Sequence, residues 1–206
     1  MAERRAAIGR GLLAAGLVGA GLLAAGCRAT VPADAGGSLT SRSLSEDAAV
    51  LSAEFVTAVY AHEPGGDTVF VLSDVPLDEL LEEGLDRGQL VVLDLLWPPR
   101  AGSTPISAAA TNLSVRHLVV VGGEAGTYAG AGFAMPSGDL GEGPVRLRIW
   151  DSTVRLAGGT DGFRDVLSPA RVTGTLTAVE DESAVQRVIS WLRVASPPAV
   201  SGNTSS

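Results

Sequence analysis

Short runs rich in Val, Leu, Thr and aromatic residues recur through the middle of this chain, separated by clusters of Gly, Pro, Asp and Ser. Runs of this length and spacing are typical of the strands of an antiparallel sandwich or a barrel-like sheet. The pattern therefore predicts a mainly β fold of about eight strands. The predicted strands lie at 53–62, 68–73, 89–97, 113–121, 127–135, 144–150, 153–157 and 170–179.

One pair of these runs has the features of a β-hairpin. Val145–Trp150 and Thr153–Ala157 both alternate apolar and polar residues, and Asp151-Ser152 separates them. If these two residues form the turn, the apolar side chains share one face of the hairpin. Arg148 then lies opposite Arg155 on the other face.

A C-terminal α-helix is predicted to pack on the sheet. It follows Asp181 and covers 182–193, where apolar residues recur at spacings of three and four. Those residues are Val185, Val188, Ile189 and Leu192. A shorter helix is expected from Val75 to Glu83, with Pro76 in its first turn.

The N-terminal segment has the three parts of an export signal. It begins with Arg4, Arg5 and Arg10, continues through an apolar stretch over 11–25, and ends in small residues. The stretch is shorter than the roughly 20 apolar residues of a membrane-spanning helix, and glycines interrupt it. A removable leader is therefore expected.

The leader closes on Cys27, the single cysteine of the chain, in the run Leu-Leu-Ala-Ala-Gly-Cys at 22–27. This run resembles the lipobox of bacterial lipoproteins, in which the cysteine receives a diacylglyceryl group and the preceding peptide is removed. The resemblance covers residues 1–27 and implies a signal peptide over 1–26 and lipidation at Cys27. In this family the residue after the lipidated cysteine influences sorting, and here that residue is Arg28 and not an aspartate. The resemblance therefore implies an outer-membrane destination facing the periplasm if the cell has two membranes. Ordinary signal cleavage without lipidation is the alternative.

Composition divides the remainder of the chain into three parts. Residues 27–47 combine the lipidated cysteine with a stretch of Ala, Gly, Ser and Thr, which predicts a flexible tether. A single β-rich domain is predicted over 48–195. Residues 196–206 contain two prolines and a polar end, so a disordered tail is expected there.

The charge balance excludes some partners. Acidic residues outnumber basic ones by 23 to 15, and the formal net charge is −8. Nucleic acid is therefore not expected as a partner. Every basic residue is arginine, so chemistry that needs a lysine amine is excluded. No motif indicates a cofactor or a metal, and a single cysteine cannot form an intramolecular disulfide.

Two histidines, His62 and His117, are the only ones in the chain. His117 alternates with apolar residues on a face that should be buried, so a core role is expected for it. Together with Glu63, Asp67 or Asp94, the two histidines would be chemically adequate for a metal site or for acid–base catalysis. A hydrolase or metal enzyme is therefore one open hypothesis.

Two surfaces are candidates for binding. Arg146, Arg148 and Arg155 should share the outward side of the predicted hairpin, where like charges need acidic neighbours or an external anion. An anionic envelope component is thus a possible partner. Gly130 and Gly132 leave bare backbone on one side of their strand, which the C-terminal helix, an aromatic ring or a ligand could approach.

The sequence thus predicts an envelope lipoprotein held at the bilayer through acylated Cys27, with a non-catalytic structural or interaction role. A carrier that binds an apolar ligand or lipid between the sheet and the helix is the alternative, and it requires a sizeable apolar cavity.

Overall fold

Nine β-strands and two helices make up the part of the chain that the structure describes. The computed structural model describes residues 35–46, 49–81, 86–99 and 111–195, all within one compact unit over 31–206. The strands are β1 (Gly36–Ser43), β2 (Val50–Phe55), β3 (Thr57–His62), β4 (Thr68–Ser73), β5 (Arg87–Leu95), β6 (Leu113–Val121), β7 (Glu124–Ser137), β8 (Val145–Gly159) and β9 (Ala170–Glu180). The helices are α1 (Leu77–Leu80) and α2 (Glu182–Ala195).

The strands form one sheet in the order β2-β1-β9-β3-β4-β5-β6-β7-β8, and β8 also pairs with β9. This additional pairing closes part of the sheet into a ring. Neighbouring strands are antiparallel except β3 and β9, whose short pairing of Val59 with Val179 and Tyr60 with Glu180 is parallel. The predicted antiparallel, barrel-like β fold with a C-terminal helix packed on it is confirmed.

Large apolar side chains fill the inner face of the ring, because side chains alternate between the two faces of each strand. We call this the inner cluster; its fully buried members include Tyr60, Phe70, Leu93, Leu147 and Leu176. The Tyr60 hydroxyl donates a hydrogen bond to the carbonyl oxygen of Gly143 at 2.7 Å, so its polar atom is satisfied despite burial.

A second, outer cluster lies on the opposite face of β3, β4, β5 and β6, beneath the two helices. It joins Val59, Val71, Val92 and Leu118 of the strands to Val185, Val188 and Leu192 of α2. Burial on both faces explains why these strands read as nearly unbroken apolar runs. The Asp181 carboxylate accepts a hydrogen bond from the Ala184 N–H at 2.9 Å and caps α2.

Neither described helix has the length and the apolar composition of a membrane-spanning segment.

The hairpin predicted across Asp151-Ser152 is wrong. Residues 145–159 form the single strand β8, which pairs with β7 from Arg146 to Gly159. The pairing of β8 with β9 shifts register between Ile149 and Ser152, so the predicted turn residues lie at a bulge. A bulge and a two-residue turn both interrupt the alternation of faces, and the sequence pattern does not separate them. The partner strand decides, because β7 runs for 14 residues and offers pairing on both sides of the bulge.

Two predicted boundaries also change. The tether expected over 27–47 contains β1, in which Leu39 is buried and eight residues pair with β9. The small, polar residues of β1 are typical of a linker, but β2 and β9 on either side satisfy its backbone. The single strand expected over 53–62 is divided into β2 and β3. Cys27, with the leader before it, and the tail over 196–206 lie outside the described residues.

Strand β8 occupies the space beside Gly130 and Gly132. A Cβ atom at Gly130 would overlap the carbonyl oxygen of Thr153, and one at Gly132 would overlap the hydroxyl of Ser152. The expectation that α2, an aromatic ring or a ligand lies against these glycines is therefore wrong. The absence of a side chain lets β8 bend closely over β7 as the ring closes.

Gly130→Ala is expected to lower the free energy of unfolding by about 1 to 3 kcal/mol, because the added methyl group overlaps backbone that cannot easily move. Without this overlap, replacing glycine by alanine in a strand would be neutral or mildly stabilising. Ala131→Ser, at the exposed neighbouring position, is the matched control and should change stability by less than about 0.5 kcal/mol. Chemical denaturation measures both, and equal stabilities would contradict the close approach of β8.

Candidate ligand-binding site

The inner cluster opens to the surface at one end of the ring, through a pocket of about 410 Å³. We call it the mouth pocket. Its walls come from the end of β6, the start of β7, the start of β2 and the loop between β8 and β9. The lining is mainly apolar and includes Leu51, Val119, Val121, Phe163, Val166 and Leu167, with Tyr128, Glu124 and Arg164 as polar members.

Three valines at the rim of the mouth pocket are strongly exposed to solvent. The exposed fraction is 47% for Val50, 61% for Val121 and 62% for Val166. Single exposed apolar residues are common on protein surfaces, but a group around one concave opening is typical of a binding site. An apolar ligand seated there would remove all three side chains from water.

The loop that forms one wall is held by Asp165. Its Oδ1 accepts hydrogen bonds from the backbone N–H groups of Leu167 and Ser168, both at 3.0 Å. The same oxygen accepts a hydrogen bond from the Tyr128 hydroxyl at 3.2 Å. One carboxylate therefore fixes the loop to strand β7, which explains how a segment without regular secondary structure can shape a pocket.

Phe163 fixes the other half of this loop. Its ring packs edge-on to Tyr128 with the ring centroids 6.2 Å apart. It also lies directly over Gly126, where a Cβ atom would overlap the ring. A glycine on β7 is therefore required at this point for the loop to close over the end of the inner cluster.

The polar groups behind the pocket keep fixed protonation states near neutral pH. Burial works to raise the pKa of Asp165, but the hydrogen bonds from Ser168, Leu167 and Tyr128 outweigh it, and the pKa lies below its usual value. Burial and the neighbouring Asp165 carboxylate raise the pKa of Tyr128. The pair is therefore a neutral phenol that donates a hydrogen bond to an ionised carboxylate.

His117 lies behind Tyr128, with ring centroids 6.5 Å apart, and is buried as expected from its position among apolar residues. Its Nε2–H donates a hydrogen bond to the amide oxygen of Gln89 at 3.0 Å. Burial lowers the pKa of His117 to about 4. At neutral pH it is an uncharged core side chain.

The two histidines do not form a common site. Cross-strand pairs place His62 beside Thr68 of β4, and the same row of paired residues continues through Leu95 of β5 to Leu113 of β6. His117 lies four residues further along β6, a distance of roughly 13 Å at about 3.3 Å per residue. A metal ion with bonds of about 2 Å to each nitrogen cannot bridge this separation. His62 bonds locally instead, with Nδ1 2.8 Å from the Thr68 hydroxyl.

The acidic residues proposed as partners of the histidines do share a cavity, of about 690 Å³, between the outer face of the sheet and α2. Glu63, Asp67 and Asp94 line it together with Arg116 and Arg193. Burial raises the pKa of Asp94, and Arg116 offsets only part of this effect. Within the described ranges, no three His, Cys, Asp or Glu side chains are placed to bind one metal ion.

The alternative function, a carrier that binds an apolar ligand between the sheet and the helix, stays a prediction. The cavity beneath α2 has charged as well as apolar lining residues, whereas the mouth pocket is mainly apolar and lies at the end of the ring, away from Gly130 and Gly132.

The three arginines predicted to share one surface are divided into two places. On β7, Arg148 pairs with Met135 and Arg155 pairs with Ala129. These two β7 partners are six residues apart, which places the two arginines roughly 20 Å from each other along the strand. Arg146 remains beside Arg148 on the outward face of β8. The separation is a direct consequence of the single long strand that replaces the predicted hairpin.

Sequence reasoning missed the mouth pocket because its walls come from distant parts of the chain. The signal that was present is Phe163, a large apolar residue within a Gly- and Asp-rich loop, where an apolar contact is needed to explain it.

No match to this chain is found among protein-family models, curated proteins or solved structures.

The low pKa of His117 predicts a pH dependence of stability. Between its folded value of about 4 and its ordinary value of 6.5, the unfolded chain binds a proton that the folded chain does not, so the free energy of unfolding falls as the pH falls. The loss attributable to His117 approaches about 3 kcal/mol, since one pKa unit corresponds to about 1.4 kcal/mol.

Chemical denaturation of the parent and of His117→Gln between about pH 7 and pH 4.5 measures this effect. The variant keeps a neutral side chain that can reach Gln89, and it should lose less stability than the parent over this range. Identical pH profiles would contradict the buried, neutral histidine.

Proposed function

We propose that this protein is a lipid-anchored component of the bacterial cell envelope that acts by binding and not by catalysis, and that the mouth pocket binds an apolar ligand such as a lipid acyl chain. The observation that carries the proposal is the pocket itself, an apolar opening into the core at the end of a partly closed ring. A structural or protein-interaction role without a small ligand is the second candidate, favoured by the exposed apolar rim.

The anchor part of the proposal is supported by the lipobox-like run that ends at Cys27. Buried acyl chains contribute about 0.8 kcal/mol per methylene group, so two or three chains hold a protein at a bilayer durably. The proposed location is the cell envelope, with the outer membrane facing the periplasm favoured in a cell with two membranes.

The ligand part is supported by the size and chemistry of the mouth pocket. Its volume of about 410 Å³ falls within the roughly 300 to 1,000 Å³ of pockets that enclose small molecules. Its apolar walls suit a hydrocarbon chain, and Glu124 and Arg164 at the lining can contact a polar end group. Asp165 and Phe163 hold the loop wall in place before a ligand binds, which reduces the entropy lost on binding.

Acylation is tested in cells that make the full chain and a Cys27→Ser variant. The parent should be labelled by radioactive palmitate and sediment with membranes, whereas the variant should lose the label and leave the membrane fraction. If the parent takes up no palmitate and the variant sediments with membranes as fully as the parent does, the anchor is contradicted.

Ligand binding is tested by titrating a fluorescent fatty acid into residues 31–206, the compact unit that contains the whole sheet and both clusters. Val121→Asp and Val166→Asp each place a charge at the apolar rim and should weaken binding about tenfold or more, equivalent to at least about 1.4 kcal/mol. Val56→Asp, at an equally exposed valine outside the pocket (58%), is the control and should bind as the parent does. Failure of the parent to bind the probe, or equal binding by all four proteins, would contradict the ligand.

A further inference from the structure

An exposed aromatic cluster lies on the outer surface of β7 and β8. Phe133 and Trp150 stack with their ring centroids 5.8 Å apart and their planes 13° from parallel. The Trp97 ring packs edge-on to Phe133, with the two ring centroids 6.3 Å apart. Two of the three tryptophans in the chain therefore meet on one surface.

The cluster is only partly covered by the protein. Trp97 is 37% exposed, Trp150 is 42% exposed and the adjacent Leu96 is 45% exposed. Aromatic residues make up only 4% of the sequence, so their concentration at a wet surface is unlike the rest of the fold. Tryptophans with one side in protein and the other in water are typical of contacts with membrane interfaces and with partner molecules.

The same surface is positively charged. The Arg148 guanidinium carbon lies 5.5 Å from the centre of the Trp150 ring, and Arg146 is exposed two residues before it. Within the described ranges, neither arginine has a carboxylate within 4.0 Å, and the neighbouring Asp151 is paired with Arg171 at 3.1 Å. The local charge therefore opposes the net charge of −8 carried by the chain.

Buried Asn112 holds this surface in shape. Its side-chain amide donates to the carbonyl oxygens of Trp97 at 3.2 Å and of Ala134 at 2.9 Å, and its oxygen accepts from the Ala134 N–H at 2.8 Å. One side chain thus fixes the backbone of the loop that carries Trp97 to the backbone beside Phe133. The aromatic arrangement is preorganised and does not depend on a ligand for its geometry.

The chain enters the described fold next to this surface. Gly36, at the start of β1, and Arg146 both pair with Thr177 of β9, so two strand spacings of about 4.8 Å separate them. Nine residues lead from Cys27 to Gly36, a length that reaches at most about 30 Å. A lipid attached at Cys27 would therefore keep this end of the sheet close to the bilayer.

We propose that this surface, formed by Leu96, Trp97, Phe133, Arg146, Arg148 and Trp150 and here called the aromatic–arginine face, docks onto the anionic lipid head groups of the membrane that holds the anchor. The arginines attract the negatively charged head groups, and the tryptophans insert at the boundary between head groups and hydrocarbon. The setting rests on the proposed anchor, but the contact itself is a property of the folded domain. The arginine and aromatic contacts together give the domain one orientation on the membrane.

The test uses residues 31–206 without the anchor and vesicles of phosphatidylcholine with or without phosphatidylglycerol. The parent should partition onto the anionic vesicles and be released by high salt, with a blue shift of its tryptophan fluorescence. Arg148→Glu should reduce partitioning more than about tenfold, since a basic residue near an anionic surface contributes about fivefold to binding and the reversal replaces this attraction by a repulsion. Trp150→Ala should reduce partitioning about tenfold, because it removes a ring that inserts at the membrane interface. Circular dichroism checks that both variants fold.

Arg155→Glu is the matched control, because it makes the same change of charge on the same strand, roughly 20 Å from Arg148. Its partitioning should stay within about twofold of the parent. An equal loss in Arg148→Glu and Arg155→Glu would mean that only net charge matters, and it would overturn the proposal. The proposal would also be overturned if the parent did not bind vesicles, or if a cell-wall polymer and not the vesicles retained it.

This outcome is separable from that of the anchor experiment. Vesicle binding that depends on Arg148 alongside an unacylated Cys27 in cells would support the docking surface and contradict the anchor. Acylation of Cys27 without vesicle binding by the domain would do the reverse.

Discussion

Strand β9 determines the architecture, because it is the one strand of the described sheet that pairs with three others. It lies between β1 and β8 for most of its length and reaches β3 with its last two pairs. Without its pairing to β8 the sheet would be an open, twisted layer, and the inner cluster would be exposed to water along one edge. The pairing of β8 with β9 covers that edge, and the mouth pocket opens at one end of the partly closed ring.

The two proposed sites follow from this closure. The loop that leads into β9 forms one wall of the mouth pocket, and Asp165 within it ties that wall to Tyr128. The pairing of β9 with both β1 and β8 also places Gly36, at the start of β1, two strands from Arg146. A single strand therefore sets the position of the apolar opening and of the aromatic–arginine face.

Much of the sheet could be predicted from local patterns. The strands at 68–73 and 113–121 and the capped helix after Asp181 have clear boundaries in the sequence and in the structure. Residues 36–43 could not be recognised as a strand, since their partners and not their composition make them one. The mouth pocket combines Leu51, Val119 and Phe163, which only the closed topology brings together.

The length of β7 has a consequence for how a bound molecule could come and go. Gly126 lies under the loop at the mouth pocket and Ser137 pairs with Arg146, and these two positions on β7 are 11 residues apart, or roughly 35 Å of strand. A domain docked through the proposed aromatic–arginine face would therefore hold the mouth pocket further along the sheet from the residues that contact the bilayer. Under the proposed function, an apolar ligand would then enter the mouth pocket from beside the docked surface and not through the residues that contact the supporting leaflet.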